Sequence, residues 1–333
     1  MISKKIYGYL LILTLLVITC PLISHGQSAI TGNNLEMTMT PENPQPLQNV
    51  KINLQSFSYD LDRSKITWSV NGAVKRTEIG LKVFNLEAGK NGQKTIIKVS
   101  VVTPDNEVKE MEVFFIPSVV DIIYEAISYT PPFYKGKALN PSQGMVRVTA
   151  VPELIKADGA KVPAQNIVYS WKKDGMVEQS ASGVGKNSFT FTGTIPVRDS
   201  IIEVNASSLD GNIYASNQVK ITNISPEIIF YENSLVYGVM MNKAIKDTVN
   251  MQTDEFSVVA VPYFFSTGYA TSPDLTYNWS MNGQNTDNQD PKNSFSSKID
   301  KVSSGVANIA LKIINAGRFL QSANSDYNIN FSK

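Results

Sequence analysis

The sequence predicts an all-β protein, built from three tandem β-sandwich domains behind an N-terminal signal segment. Each of the three tryptophans, Trp68, Trp171 and Trp279, begins the same five-residue frame, W-x-x-[N/D]-G. The frames are 103 and 108 residues apart, which is about one small β domain each. Short runs of alternating apolar residues, separated by turn residues, surround every frame, and no amphipathic helical pattern follows the signal segment. An internal repeat of this period indicates one supersecondary plan used three times.

The N-terminal segment, residues 1–26, has the pattern of a secretory signal. Lys4 and Lys5 provide a positive start, and Leu10 to Ile18 is an apolar core. Small residues then precede Gln27, where cleavage is expected. An uncleaved membrane anchor is the alternative, but the apolar run is shorter than the roughly 20 residues of a spanning helix. The expected location is therefore exported: periplasmic, cell-surface or extracellular.

Cleavage of the signal would remove two reactive residue types from the chain. The single cysteine, Cys20, and the single histidine, His25, both lie within it. The mature chain would then lack nucleophile–base pairs and metal sites that depend on Cys or His. A lipid on Cys20 is a further alternative that would anchor the chain, although Thr19 and Pro21 fit a lipidation signal poorly.

The charge balance excludes one class of partner. The chain has 30 basic and 29 acidic residues, and loss of the two signal lysines leaves a mature net charge of −1. A surface that follows nucleic-acid phosphates needs a basic excess, so no nucleic-acid partner is expected. No apolar run of spanning length follows the signal, so membrane contact is expected only through the N-terminal segment if it is uncleaved.

Strands flank each tryptophan in the same order. A strand precedes it, and a long hairpin follows whose turn begins 35 to 38 residues after the tryptophan and contains Pro, Gly, Asn or Asp. The predicted preceding strands are Val50–Leu54, Val146–Pro152 and Phe256–Pro262. The predicted hairpin strands are Thr95–Val102 with Val108–Phe115, Ile201–Ser207 with Ile213–Ile221, and Val306–Ile314 with a return from Phe319 onward.

The copies meet at two proline-marked joints, Pro117-Ser118 and Ser225-Pro226. Proline cannot donate to a strand ladder, so it ends the pairing of the strand before it. The expected domains are residues 27–117, 118–225 and 226–333. Few residues separate the copies, which predicts a fairly stiff rod.

A tryptophan on a central strand, followed by an Asn-Gly or Asp-Gly turn and a late hairpin, resembles immunoglobulin-like domains. The closest resemblance is to the bacterial immunoglobulin-like and PKD-like modules of exported surface proteins, and it covers roughly residues 30–333. The resemblance implies a β-sandwich with the tryptophan at its centre, and it implies a role in binding or spacing rather than in catalysis.

One candidate metal site lies just before the first tryptophan strand. Asp60 and Asp62 offer carboxylates, and extracellular modules bind Ca²⁺ through such oxygen ligands. The alternative is a solvated loop with Arg63 as counter-charge. The spacing lacks a calcium-loop pattern, so no cofactor or metal is expected.

Two aromatic segments, one around a proline pair and one after a single proline, are the candidate contact surface for a protein or glycan partner. The alternative is packing within the sandwiches, because aromatic residues dominate such cores. The candidate residues are Tyr129, Phe133, Tyr134, Tyr263, Phe264 and Phe265.

No catalytic pattern emerges, so the protein is predicted not to be an enzyme. A Ser-x-x-Lys match at Ser170 and Lys173 falls on a predicted strand, where residues three apart point to opposite faces. The leading hypothesis is an exported envelope protein that acts as a spacer or an adhesive, binding module. The alternative is an accessory subunit of a pilus or secretion assembly, followed by a carbohydrate-active enzyme or glycan-binding protein.

Overall fold

The computed structural model describes residues 30–32, 34–251, 255–286, 290–298 and 304–331. These residues form twenty-five β-strands and one short 3-10 turn at Ala164–Asn166. The predicted signal segment, with Cys20 and His25, lies outside them. Within the described part of the chain, no helix has the length and apolar character needed to cross a membrane.

The first sandwich consists of two four-stranded sheets. One sheet has the order β1-β2-β3-β6, formed by Ile30–Gly32, Leu35–Thr40, Asn49–Gln55 and Val83–Glu87. The other has the order β5-β4-β7-β8, formed by Ala73–Ile79, Lys65–Val70, Thr95–Val102 and Val108–Phe115.

The second sandwich repeats this plan. One sheet has the order β14-β10-β9, formed by Ser188–Thr192, Met145–Glu153 and Val119–Ile127. The other has the order β12-β11-β15-β16, formed by Met176–Val177, Ile167–Lys173, Ser200–Ser208 and Tyr214–Ile221, with β13 (Gly183–Val184) also on β11.

The third sandwich adds a hairpin to the plan. One sheet has the order β18-β17-β20-β23, formed by Gly238–Ile245, Glu227–Ser234, Glu255–Tyr263 and Ser294–Lys298. The other has the order β19-β25-β24-β21-β22, formed by Thr248–Asn250, Ser322–Phe331, Gly305–Asn315, Leu275–Met281 and Gln284–Asn285.

All three sandwiches share one pairing scheme, which confirms the predicted all-β fold of tandem immunoglobulin-like sandwiches. The tryptophan strand pairs with the first strand of the late hairpin, as β4 with β7, β11 with β15 and β21 with β24. The third return strand begins at Ser322 rather than at Phe319, because Gln321 N donates to Arg318 O and prolongs the turn.

Strand β17 of the third sandwich has apolar residues packed on both of its faces. Ile228 and Phe230 of β17 face the sandwich core, whereas Ile229 and Tyr231 belong to a second apolar cluster on the outer face of the sheet. The strand therefore reads as a continuous apolar run rather than an alternation. Apolar residues on this outer face have to be covered from water, and Tyr129 and Ile224 of the second sandwich cover part of it.

The chain divides into two compact units. Of the described residues, the first contains those up to 44, 48–88 and 95–114, and the second contains 45–47, 89–94 and those from 115 onward. Sandwiches 2 and 3 thus belong to one unit. The predicted domain limits at 117 and 225 stay predictions.

Candidate functional site

The tryptophan frame forms the centre of each sandwich. Trp68 and Trp171 are fully buried and Trp279 is 4% exposed. Each indole Nε1 donates to a backbone carbonyl on the following loop: Trp68 to Leu81 at 2.9 Å, Trp171 to Lys186 at 2.9 Å, and Trp279 to Lys292 at 3.0 Å. Each buried ring is thereby paired at its only polar atom.

A phenylalanine of the opposite sheet packs on each indole, three residues after the carbonyl that accepts its N–H. The ring centroids lie 5.3 Å apart for Trp68 and Phe84, 5.2 Å for Trp171 and Phe189, and 5.4 Å for Trp279 and Phe295. Sequence reasoning missed these partners. Their signal was the constant position of a phenylalanine 16 to 18 residues after each tryptophan.

The [N/D]-G pair of each frame turns a hairpin and also ties two strands together. Both residues have positive φ in every copy, for example 50° at Asn71 and 79° at Gly72, as a type I′ turn requires. The turn residue then bonds the neighbouring strand through its backbone and its side chain. Asn71 N donates to Ile96 O at 2.8 Å, and Ile96 N donates to Asn71 Oδ1 at 2.8 Å. Asp174 and Asn282 make the same pair of bonds.

The second copy alone uses a charged residue at this turn. Lys173 Nζ lies 2.9 Å from Asp174 Oδ2, and both side chains are largely buried. Burial alone would raise the pKa of the Asp174 carboxyl. Hydrogen bonds from Lys173 and Ile201 N, with the positive charges of Lys173 and Arg198, outweigh it and lower that pKa.

Asp174→Asn is expected to destabilise the protein by about 1–3 kcal/mol at pH 7, because it leaves the Lys173 ammonium buried without its partner. A carboxyl with a lowered folded pKa contributes stability above its unfolded pKa of about 3.9 and loses it as the pH falls through the folded value. The difference between the two proteins should therefore shrink from pH 7 to pH 3. Urea unfolding at both pH values measures this, and an unchanged difference at pH 3 would contradict it.

Asp60 and Asp62 are engaged with neighbouring protein groups. Asp60 Oδ1 accepts a hydrogen bond from Asp62 N at 3.1 Å, which closes the loop on itself. Asp62 Oδ1 lies 2.8 Å from Lys82 Nζ, so Lys82 rather than Arg63 provides the counter-charge. The described residues contain no group of three or more His, Cys, Asp or Glu side chains arranged to hold a metal ion.

Thermal unfolding is expected to be the same in millimolar Ca²⁺ and in EDTA, within about 2 °C. A site at a hundredfold excess of Ca²⁺ over its Kd would add about 2.7 kcal/mol, which is a rise of roughly ten degrees or more for a domain of this size. A rise of that size on adding Ca²⁺ would assign Asp60 and Asp62 to a calcium site.

The two predicted aromatic segments meet each other, at what we call the 2–3 joint: residues 128–143 of sandwich 2 against residues 263–266 and 318–321 of sandwich 3. Tyr129 N donates to Phe265 O and Phe264 N donates to Tyr129 O, each at 2.8 Å. The Tyr134 ring packs edge-on against Tyr263 and Phe264, with centroids 5.7 and 5.8 Å away. The sequence analysis considered an external partner and packing within a sandwich for these segments, but it did not consider that they contact one another.

The six candidate residues differ in how much of each side chain is exposed to solvent. Tyr263, Phe264 and Phe265 are buried, Phe265 completely and within the core of sandwich 3. Tyr129 is partly buried and packs on the outer-face cluster. Phe133 is 92% exposed. Of the six, Phe133 is the most available to an external partner.

Two buried tyrosine hydroxyls are hydrogen-bonded to each other beside the aromatic rings of the 2–3 joint. The Tyr231 and Tyr263 hydroxyls lie 2.8 Å apart. Burial, with this hydrogen bond, raises the pKa of Tyr263 above its ordinary value, so the phenol is neutral. The pair satisfies two polar atoms that the apolar cluster would otherwise leave without a partner.

Gln321 is the polar centre of the 2–3 joint and was not predicted. Its side chain is fully buried. Its Nε2 donates to Ser142 O at 2.7 Å and to Ser266 Oγ at 2.8 Å, while its Oε1 accepts from Ser266 N at 2.9 Å and from Asn315 Nδ2 at 3.0 Å. Leu320 N adds a bond to Gln143 Oε1 at 3.1 Å. The amide thus joins the two sandwiches with every hydrogen-bonding position in use.

Backbone strain accompanies these contacts. Gln143 has φ of 57° and Phe264 has φ of 61°, in the left-handed region that non-glycine residues adopt at a cost. Both residues use that conformation to bond across the 2–3 joint, Gln143 through its side chain and Phe264 through its N–H. The surrounding contacts compensate for the strain.

No protein-family model and no curated protein matches the sequence. Among solved structures, the chain is similar to the central fibronectin-III array of RIM-binding protein, with 13% identity, a TM-score of 0.30, and coverage of 87% of this chain and 94% of that one. It is also similar to three N-terminal domains of the highly immunogenic outer capsid protein of bacteriophage RB49, at 13% identity, TM-score 0.26, and 90% and 98% coverage. The third is the fibronectin(III)-like modules of Clostridium thermocellum CbhA, at 12% identity, TM-score 0.28, and 56% and 94% coverage. At this identity the likeness concerns the fold alone.

Proposed function

We propose that this chain is a non-enzymatic exported protein of the cell envelope, in which tandem sandwiches act as a spacer that presents a binding surface. The 2–3 joint is the observation that carries this proposal. A spacer must hold its modules at a constant separation, and this joint combines a reciprocal backbone hydrogen-bond pair, a buried amide network and packed aromatic rings. Such a contact restrains rotation between sandwiches 2 and 3 far more than a linker alone.

The chemistry of the described side chains agrees with a role in contact rather than in catalysis. Three carboxylates among the described residues have a lowered pKa, and hydrogen bonds from neighbouring structural groups are the cause. Asp174 pairs with Lys173 and Arg198, Asp199 pairs with Lys220, and Asp210 accepts from Ser208 and Asn212 in its own turn. The tyrosines with raised pKa values lie in cores and at the 2–3 joint. Such perturbed groups are structural, whereas a catalytic site would place them in a cleft beside a nucleophile or acid–base partner.

Distance measurements between spin labels test the stiffness directly. The single cysteine lies in the predicted signal, so cysteines introduced at Met176 and Val306 of the mature chain can be labelled without background. Both positions are well exposed, at 67% and 64%. A narrow distance distribution is expected, and it should broaden in a Tyr134→Ser, Gln321→Ala variant. Tyr214→Ser is the matched control, because Tyr214 is an exposed tyrosine on β16 and should leave the distribution narrow. A broad distribution of spin-label distances in the protein with an intact 2–3 joint would contradict the proposal that the chain acts as a spacer.

The location is tested by the mass of the exported form. Cleavage before Gln27 gives a protein that begins at Gln27 and contains no thiol, because Cys20 is removed. We expect intact mass spectrometry of the exported protein to show that species. A form that retains Cys20, lipid-modified or embedded in a membrane, would show that the chain is anchored instead.

The second candidate is an accessory subunit of a pilus or secretion assembly. It is favoured by three exposed apolar residues, Leu235, Val236 and Tyr237, at the turn between β17 and β18 of sandwich 3. A subunit of an assembly needs such a surface for its neighbours, whereas an isolated spacer does not.

A further inference from the structure

The β17–β18 hairpin of sandwich 3 ends in three exposed apolar side chains, which we call the tail tip. Leu235 is 93% exposed, Val236 80% and Tyr237 79%. Ser234 Oγ accepts hydrogen bonds from Val236 N and Tyr237 N at 3.3 Å each, and Gly238 has φ of 70°. The turn is thus held in one conformation while it presents apolar groups to solvent, which is an arrangement suited to contact with a partner.

The tail tip also lacks charge. No charged residue occurs from position 233 to position 242, between Glu232 and Lys243. Burial of the tail tip would therefore remove apolar surface from water without desolvating a charge. Contiguous exposed apolar residues of this kind mark interaction sites on soluble proteins.

The place of the tail tip in the sandwich identifies the kind of partner. Strand β17 begins at the 2–3 joint, where Glu227 pairs with Tyr263, and runs away from it to the tail tip. In sandwich 2, the equivalent strand β9 runs toward the 2–3 joint, and the segment after it supplies Tyr129 and Tyr134 to the contact. The tail tip therefore occupies, in sandwich 3, the position that sandwich 2 uses to bind its successor.

The pairing register supports their equivalence. Val120 of β9 lies opposite Pro152, Ile228 of β17 lies opposite Pro262, and each proline ends an Ala-Val-Pro run in the neighbouring strand. Tyr129 of the 2–3 joint and Tyr237 of the tail tip each lie nine residues after the first member of these pairs. The equivalent position thus contacts a following sandwich in copy two and is exposed in copy three.

The matching acceptor surface is exposed on sandwich 1. On sandwich 3 the 2–3 joint is formed by Phe264-Phe265-Ser266, directly after β20. The equivalent position in sandwich 1, directly after β3, holds Ser56-Phe57-Ser58, and Phe57 is 95% exposed. We call this the head surface. Strand β3 ends opposite the beginning of β2, so the head surface lies at the end where the chain enters sandwich 1.

From this repetition we propose that copies of this chain associate head to tail, with the tail tip of one copy docked on the head surface of the next. The partner is a second copy, and the contact reuses the arrangement of the 2–3 joint. Two different surfaces meet, so each copy can bind one copy at its head and another at its tail, and the contact produces assemblies larger than a dimer, as chains or closed rings. The inference deepens the proposed function by naming the partner of the spacer, and it rests on that function for its role in the envelope.

Sedimentation equilibrium of the mature chain tests the proposal. A short linker supplies an effective concentration of the order of 1 mM within a chain, so association between copies is followed up to about 1 mM. The tail variant is Leu235→Ser with Val236→Ser, the head variant is Phe57→Ser, and the control is Val184→Ser, an exposed valine on β13. Each altered side chain is largely exposed, so all variants should fold as the parent does.

The parent and the control are expected to form species that grow with concentration, and each single-surface variant to lose at least tenfold in association constant. A mixture of the head and tail variants should form 1:1 dimers and nothing larger, because each retains one of the two surfaces. Retention of dimers by the head variant alone would indicate tail-to-tail pairing and overturn the proposal. A monomeric parent throughout, or a parent that stays monomeric and binds phosphatidylcholine vesicles through the tail tip, would also overturn it. The spin-label distances are measured within one chain and do not depend on association between copies. Failure of the head-to-tail proposal can therefore be distinguished from failure of the proposed spacer function.

Discussion

Trp171→Ala is expected to lower the free energy of unfolding by about 3–5 kcal/mol, the usual cost of removing a buried aromatic ring. The ring is fully buried, packs on Phe189 and donates its N–H to Lys186 O. Its loss leaves a cavity at the centre of sandwich 2 and a carbonyl without its partner. Urea unfolding followed by circular dichroism measures the change without relying on the fluorescence of the residue that is removed.

A second variant separates the contribution of the ring from that of its N–H, and a third serves as a surface control. Trp171→Phe keeps a ring but removes the N–H, so its cost should be smaller than that of alanine. Val184→Ala, at an exposed position of the same sandwich, should change stability by no more than about 0.5 kcal/mol. If Trp171→Ala costs less than about 1 kcal/mol, the tryptophan frame is not the centre of the sandwich.

Gln321→Ala is expected to cost about 2–3 kcal/mol, although the residue lies on a loop between two strands. Its amide is the shared partner of Ser142 O and Ser266 N, and an unsatisfied buried backbone group costs about 1–3 kcal/mol. A loop position would ordinarily tolerate this substitution. Urea unfolding gives the value, and Gln284→Ala on the exposed strand β22 is the matched control.

The same variant should also weaken the coupling of sandwiches 2 and 3. Calorimetry should then show them unfolding over a broader temperature range than in the parent, because two less strongly coupled domains no longer melt together. A loss of stability below about 0.5 kcal/mol, with an unchanged transition, would show that the amide network contributes nothing to the 2–3 joint.

The tryptophan frames show how far local sequence reasoning reached. The spacing of Trp, Asn or Asp, and Gly was enough to predict a strand that ends in a tight turn, and Asn71-Gly72 forms the turn that its chemistry requires. The hydrogen bond that Ile96 N donates to Asn71 Oδ1 could not be predicted, since it depends on which strand lies beside the turn. Phe84 was missed for the same reason, because it belongs to the opposite sheet.

The aromatic segments show where that reasoning stopped. Their composition indicated contact-forming residues, but composition carries no information about the partner. Tyr129 and Phe265 are 136 positions apart, and only the arrangement of whole sandwiches brings them within hydrogen-bonding distance. The additional hairpin of sandwich 3 was also missed, because β18 lacks the strict alternation that marks a half-buried strand.

The sequence by itself determined the number of sandwiches, the strands that flank each tryptophan and the buried position of its ring, because these follow from short-range periodicity and turn chemistry repeated three times. It also supported the prediction of export. The tertiary structure alone decided that Gln321 links two sandwiches and that Leu235 to Tyr237 are left exposed. It also decided that four of the six aromatic candidates pack at the 2–3 joint, while Phe265 fills the core of sandwich 3 and Phe133 is exposed. Such contacts join loops whose positions are set by complete domains, so no local pattern encodes them.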